Sequence, residues 1–296
     1  MAASFRQWGF GSFNARNGDL MHRFSMITHR TMTDPRDMTY GDYLTLDKLL
    51  TAQHPVSDHH DELLFIIIHQ TKELWLKQII HELKLAIALI RADKLIEVHK
   101  NLSRVSRIQA VMTLSWDVLA TLTPTDYMTF RGVLGGSSGF QSAQFRQVEY
   151  LLGLKDGAHL KFQEEGSEQR RALVEALESP SLWDEANAAL ARGGFALPPE
   201  ALARDWTQKY VPNDAVADAW AEVYRDAEKN WRFYQFAEKL VDIDDSMAVW
   251  RHKHVVTVER VIGFKTGTGG TAGVPYLQST ITKRAFPELW SLRTKL

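Results

Sequence analysis

The sequence predicts an all-α protein: a large helical, bundle-like domain with a small helical insertion. Three observations predict it. From residue 40 onward apolar side chains recur at intervals of three, four and seven, the period of a helix buried along one side. Alternating runs bounded by turn signals, which would mark strands, are nearly absent. Capping residues stand where the apolar pattern starts, and glycine or proline stands where it stops.

Taken in order, Ser57 or Asp58 is expected to cap a long helix reaching about Arg91, with Asp61 and Glu62 complementing the dipole in its first turn. Its segment "LLFIIIHQTKELW" is apolar on several faces, which places it in the core. A second helix, from about Lys94 to Leu122, carries Leu95, Val98, Leu102, Val105, Met112 and Leu119 as a bundle seam. In "TPTDYMTFRGVL", Thr123 is expected as N-cap with Pro124 at the first helical position, and Tyr127 and Arg131 share one face. Gly135 and Gly136 end that helix, and "GGSSGFQS" caps the next, through Phe145, Val148 and Leu152. From about Asp156 to Tyr210 the chain is more polar and Ala-rich, and reads as an insertion of small helices. From Asp214 to Ile262 it is helical again, with a break expected at Asp242 to Ser246. The stretch 263–277, "GFKTGTGGTAGVPYL", holds five glycines and reads as a loop.

Residues 1–39 read as an N-terminal extension, mobile and without chemistry. Arg6, Arg16, Arg23 and Arg30 stand there against Asp19, and no secretory apolar region occurs. The domain proper is expected over residues 40–296.

Composition narrows the function classes. Lys plus Arg number 35 against 36 Asp plus Glu, a balance that argues against nucleic acid as a partner and is compatible with self-association. The absence of cysteine removes thiolate metal sites, iron–sulfur clusters and cysteine nucleophiles, which leaves the 11 histidines as the main ligand candidates. The longest apolar run, Leu63 to Ile68, is far short of the ~20 residues that cross a bilayer. A soluble, cytoplasmic protein without membrane attachment is the expectation.

Three side chains then need explanation. His69 follows six apolar residues inside a helix; it is either a satisfied core histidine or the one polar group of a pocket wall shared with Phe65, a helical turn earlier. Arg131, if buried, needs an anion, either a bundle carboxylate or the carboxylate of a substrate. His254 shares an apolar helical face with Trp250, Val258 and Val261, while Arg251, Lys253 and Glu259 are expected to point elsewhere; a core histidine and a proximal haem ligand both look like this. The glycine-rich stretch does not fit a phosphate-binding loop, because no strand precedes it and its lysine is at the wrong end. A lid over a ligand, offering the Thr266 or Thr268 hydroxyl, or a plain surface loop are the two readings left. "HHDE" (59–62) and "HKH" (252–254) offer non-haem metal ligands, but neither places an i, i+4 pair on one face.

In order along the chain, "FIIIHQTKELW", "TPTDYMTFR", "GSSGFQS" and "GFKTGTGGTAGVPYL" together closely resemble the tryptophan 2,3-dioxygenase family, over roughly residues 40–296. The resemblance implies an enzyme that uses ferrous haem b and dioxygen to cleave the indole C2–C3 bond of L-tryptophan, giving N-formyl-L-kynurenine, the first step of the kynurenine route. It also implies a homotetramer built as a dimer of dimers. By the same resemblance His254 is the axial haem iron ligand and His69 the distal histidine facing the indole N–H. Phe65, Ile66, Ile67, Ile68 and Tyr127 would line the substrate site, Arg131 would hold the carboxylate, and Thr268 would meet the amino-acid end. Trp116 and Ser138 match haem-pocket positions. Tyr40, Tyr43 and Leu44 match residues that reach a neighbouring subunit's active site. The rival reading is a helical haem protein that binds or senses dioxygen without turnover.

Overall fold

The computed structural model describes residues 37–296, and among them every regular element is an α-helix or a short 3-10 turn. The expected N-terminal extension therefore lies, up to residue 36, outside the described residues.

The chain divides into two compact units, one ending at Ala52 and one running from Gln53 to Leu296. In the first, α1 (Tyr40–Leu44) is capped by the Thr39 hydroxyl, which accepts from the Asp42 N–H at 3.2 Å, and α2 (Leu46–Leu49) follows directly. Tyr40, Tyr43 and Leu44 are all exposed on α1.

The second unit is built on α3 (Glu62–Arg91), α4 (Leu95–Leu119), α5 (Pro124–Arg131) and α6 (Ala143–Leu152). Four helices follow: α7 (Glu168–Glu178), α8 (Leu182–Arg192), α9 (Pro199–Leu202) and α10 (Asp214–Arg225). The chain then forms α11 (Trp231–Ile262), α12 (Val274–Gln278) and α13 (Pro287–Ser291). The 30 residues of α3 make a rod of about 45 Å. It packs along α4, and α4 packs in turn along α11, so the three long helices form the frame. The predicted seam is the buried one: Leu95, Val98, Leu102, Val105, Met112 and Leu119 are all in the core.

The start of α3 corrects the expected cap. Ser57 does not cap the helix. Its hydroxyl and N–H, with the N–H of Val56, instead donate to the Glu62 carboxylate, at 2.5, 2.8 and 2.8 Å. Glu62 is thereby buried and held ionised, and the helix starts later than a Ser57 cap would place it. At α5 the expectation holds, with a reciprocal capping box between Thr123 and Asp126 and Pro124 at the first position.

The polar stretch after Asp156 forms α7 to α9, and its apolar side is buried against the frame. Trp183 stacks on Trp220 with centroids 5.6 Å apart, and the Trp220 indole N–H donates to Asn187 at 2.8 Å. Arg192 and Glu185 of α8 pair with Asp93 and Arg91 at the α3 to α4 turn, at 2.9 and 2.8 Å.

The break expected at Asp242 to Ser246 is absent; it falls between Arg225 and Trp231, and α11 runs through the acidic stretch. The reason is Asp244, a buried carboxylate that accepts the N–H groups of Ala285 and Phe286 and the Trp290 indole N–H at 3.0 to 3.2 Å. Tertiary partners thus hold in a helix a run that alone reads as a stop.

Candidate active site

A cavity opens between α3, α4, α5, α11 and the glycine-rich loop, and most residues singled out in the sequence border it. On α3, Phe65 and His69 stand one turn apart with ring centroids at 4.2 Å. The His69 Nδ1 lies 2.7 Å from the Phe65 carbonyl oxygen. A carbonyl only accepts, so Nδ1 carries the proton and Nε2 keeps its lone pair. Burial pulls this imidazole down to about 4, so it is neutral at physiological pH. Tyr127 and Phe130 of α5 pack around Phe65, each with its ring centroid 5.8 Å away. Burial raises the Tyr127 phenol, which stays protonated.

From α11, His254 stacks on the Trp116 indole, with centroids 4.3 Å apart and planes 13° from parallel, and Trp250 closes on it at 5.3 Å. Burial, with the charge of Lys72 adding to it, pulls His254 down to about 3. A neutral imidazole with a free lone pair is the state a metal ligand requires.

The cavity also holds charges that the sequence reading missed. Glu149 accepts from Arg146 at 2.6 Å and from Arg251 at 3.0 Å, a buried triad in the wall. Arg251 was expected to point away from His254; it is buried and borders the cavity, as a residue three positions before His254 on one helix can. Lys72, one turn beyond His69, is 6 % exposed and has no hydrogen-bond partner for its ammonium. Its Nζ lies 3.0 Å from the centre of the Trp116 ring. Such a contact contributes ~0.5–2 kcal/mol, against the several kcal/mol that burying an ammonium costs. Its position three after His69 was the signal that could have found it.

The glycine-rich loop is closed down over this region. Arg131 donates to the Thr266 carbonyl at 2.5 Å, and the Thr268 hydroxyl donates to the Ser137 carbonyl at 2.6 Å. A side chain at Gly269 would sit 2.7 Å from the Ser138 Cβ, so glycine is required for this approach. Gly273, at φ 66°, turns the chain where a Cβ would strike the Lys265 carbonyl.

The structure therefore brings Phe65, His69, Trp116, Tyr127, Ser138, His254 and Thr268 to one cavity. It places Ile66, Ile67 and Ile68 on other faces of α3: Ile68 is in the core, Ile67 is 44 % exposed, and none of the three borders the cavity. Arg131 is half-buried and tied to the loop, with its Nε lacking a partner, and does not itself line the cavity. Tyr40, Tyr43 and Leu44 belong to the first unit. Among the described residues no three His, Asp or Glu side chains gather as a metal site, so "HHDE" and "HKH" form no non-haem centre.

Comparison with known proteins bears on the family of the chain. The profile of the family described as tryptophan 2,3-dioxygenase matches residues 28–196 and 209–296. The chain belongs to the tryptophan 2,3-dioxygenase family. A tryptophan 2,3-dioxygenase of Caulobacter vibrioides is 63 % identical over 261 residues, covering 88 % of this chain and 99 % of that protein. Those of Bordetella pertussis and Bacillus thuringiensis subsp. konkukian are each 53 % identical, covering 88 % of this chain and 92 % and 93 % of their own lengths. The activity is accordingly that of the family, an oxidoreductase acting on tryptophan with haem.

The residues present fit haem. His254 offers a neutral nitrogen, Trp116 and Trp250 offer flat apolar walls with indole N–H groups that have no partner, and the Lys72 ammonium and the Arg146 Nε are unsatisfied beside them. An apolar slot beside one buried ammonium without an acceptor suits a flat, anionic group.

Proposed function

We propose that this chain cleaves the indole C2–C3 bond of L-tryptophan with dioxygen, giving N-formyl-L-kynurenine, with His254 holding the haem iron and His69 orienting the substrate. One observation carries the assignment of roles: the bond from His69 Nδ1 to the Phe65 carbonyl, which leaves Nε2 as an acceptor in the part of the wall that His69 shares with the Phe65 ring. An indole N–H is a donor only, so it matches that wall. Phe65 packs on the indole ring and Tyr127 borders the same space. Arg131 takes the carboxylate with its planar fork, and Thr268 meets the amino-acid end.

Haem supplies the dioxygen chemistry when bound, and the protein supplies binding, orientation and a dry pocket. His69 does not need to act as a base. It accepts a hydrogen bond, and its neutral state keeps it available for that across physiological pH. Anchoring the amino acid at both ends holds the ring in one geometry. The loop that lies over the cavity through Arg131 and Thr268 excludes water.

The working form is a homotetramer, a dimer of dimers, in which Tyr40, Tyr43 and Leu44 reach a neighbouring subunit's site. Two features support this. The α1 residues are exposed aromatic and apolar groups, and Leu63, Ile67, Leu74 and Leu85 form a further exposed apolar stripe along α3. Residues 1–39 are read as an extension to the domain, and about 156–210 as an insertion on the bundle. No helix among the described residues is long and apolar enough to cross a membrane.

The test is reconstitution of the purified protein with haem, reduction, and addition of dioxygen and L-tryptophan, following N-formylkynurenine absorbance beside the Soret band. Product with a haem spectrum supports the reading. A stable dioxygen spectrum that tryptophan does not discharge would replace it with a sensor.

A further inference from the structure

The charged side chains lining the cavity are, among the described residues, almost all paired. Glu149 is held by Arg146 and Arg251, Arg251 also donates to the Lys283 carbonyl at 2.9 Å, and Glu73 accepts from Gln144 at 2.8 Å. Lys72 has no such acceptor. Its ammonium rests on the face of Trp116, the ring that stacks on His254, and its stem leaves α3 three residues after His69. Its charge is felt by both histidines, where it helps to keep each unprotonated. A leucine or methionine would fill this seam without burying a charge, so packing gives no reason for a lysine here.

We propose that Lys72 tunes the redox state of the haem site: its ammonium disfavours ferric iron, which carries one more positive charge than ferrous iron, and so biases the bound haem toward the reduced form. The physical basis is Coulomb repulsion in a poorly screened interior, where net charge around the cofactor is one of the protein's levers on potential. The proposal rests on the haem reading above.

The experiment is a spectroelectrochemical titration of the wild-type, Lys72→Met and Lys72→Arg holoproteins, read at the Soret band. Lys72→Met is expected to lower the ferrous-to-ferric ratio at a fixed potential about tenfold, a midpoint shift of about 59 mV for one electron. Lys72→Arg, which keeps the charge, is expected to stay near the wild type. A Lys72→Met midpoint equal to the wild-type value, or above it, overturns the proposal, as does a change in unfolding temperature alone. If Lys72→Met loads no haem, Lys72→Gln drops the charge with less disturbance and is read the same way. A wild-type protein with no titratable Soret band would remove the haem reading and this proposal together, which separates the two failures.

Discussion

His69 Nδ1 donates to the carbonyl of Phe65, the residue one turn earlier on the same helix, and this one bond fixes both the tautomer and the direction of the imidazole. In the proposed function, the residue assigned to pack on the substrate ring is thus also the residue that aims the acceptor of His69.

The two histidines should separate by variant. His254→Ala is expected to lose the Soret band and nearly all turnover, whereas His69→Ala keeps haem and a measurable rate. Haem content per subunit and kcat, measured together, check this; complete loss of activity in both with haem retained would reverse the division.

The pH dependence follows from burial. His69 titrates at about 4 in the folded protein against a reference of 6.5, so kcat/KM should show no inflection from it between about pH 6 and 8. Between 4 and 6.5 the unfolded chain binds the extra proton and the folded one does not. This histidine's contribution to stability is therefore complete above 6.5 and declines as pH falls toward 4. A rate inflection near 6.5 that vanishes in His69→Gln would contradict the neutral assignment.

Arg131→Ala should raise KM for tryptophan strongly, because losing a partly buried charged hydrogen bond costs roughly 2–5 kcal/mol. Arg131→Lys should recover little, since the planar fork is lost. Tryptamine, which lacks the carboxylate, should show comparable harm with the unaltered protein and no further loss in the variant. A KM unaffected by Arg131→Ala would place the carboxylate elsewhere.

Gly269→Ala should act on catalysis and leave folding intact. The added Cβ would press on Ser138, so the loop cannot hold the approach that the Thr268 to Ser137 bond requires. A raised KM and lowered kcat at an unchanged Tm are expected. An unfolding temperature lowered in parallel with activity would mean that the loop is part of the scaffold.

Asp244→Ala should destabilise by about 3 kcal/mol or more, since it strands two backbone N–H groups and an indole N–H in the interior. Urea unfolding measures it directly.

What the sequence disclosed was largely local. The Thr123 and Asp126 capping box involves partners three residues apart, and the seam of α4 is a periodicity of one helix. Both were legible. The true break before Trp231 was not, because the partners that keep Asp244 helical lie about 40 residues away. Arg251 was misplaced for the same reason: its buried carboxylate, Glu149, is 102 residues distant. The isoleucines after Phe65 show the opposite limit. Adjacent residues in a helix point about 100° apart, so a continuous motif marks the segment and not the face, and only Phe65 and His69 of the five meet the cavity.

The anchoring of Asp244 by the C-terminal segment has a consequence for engineering. Asp244, Arg251 and His254 lie within three turns of one helix, and the first two bind backbone groups of residues 283–286. A transplant of this site into another helical scaffold would have to carry the tail along with His254. A shortened version ending near Ser279 would keep every cavity side chain except Thr280 and still lose the brace that sets the pitch of the rod they stand on.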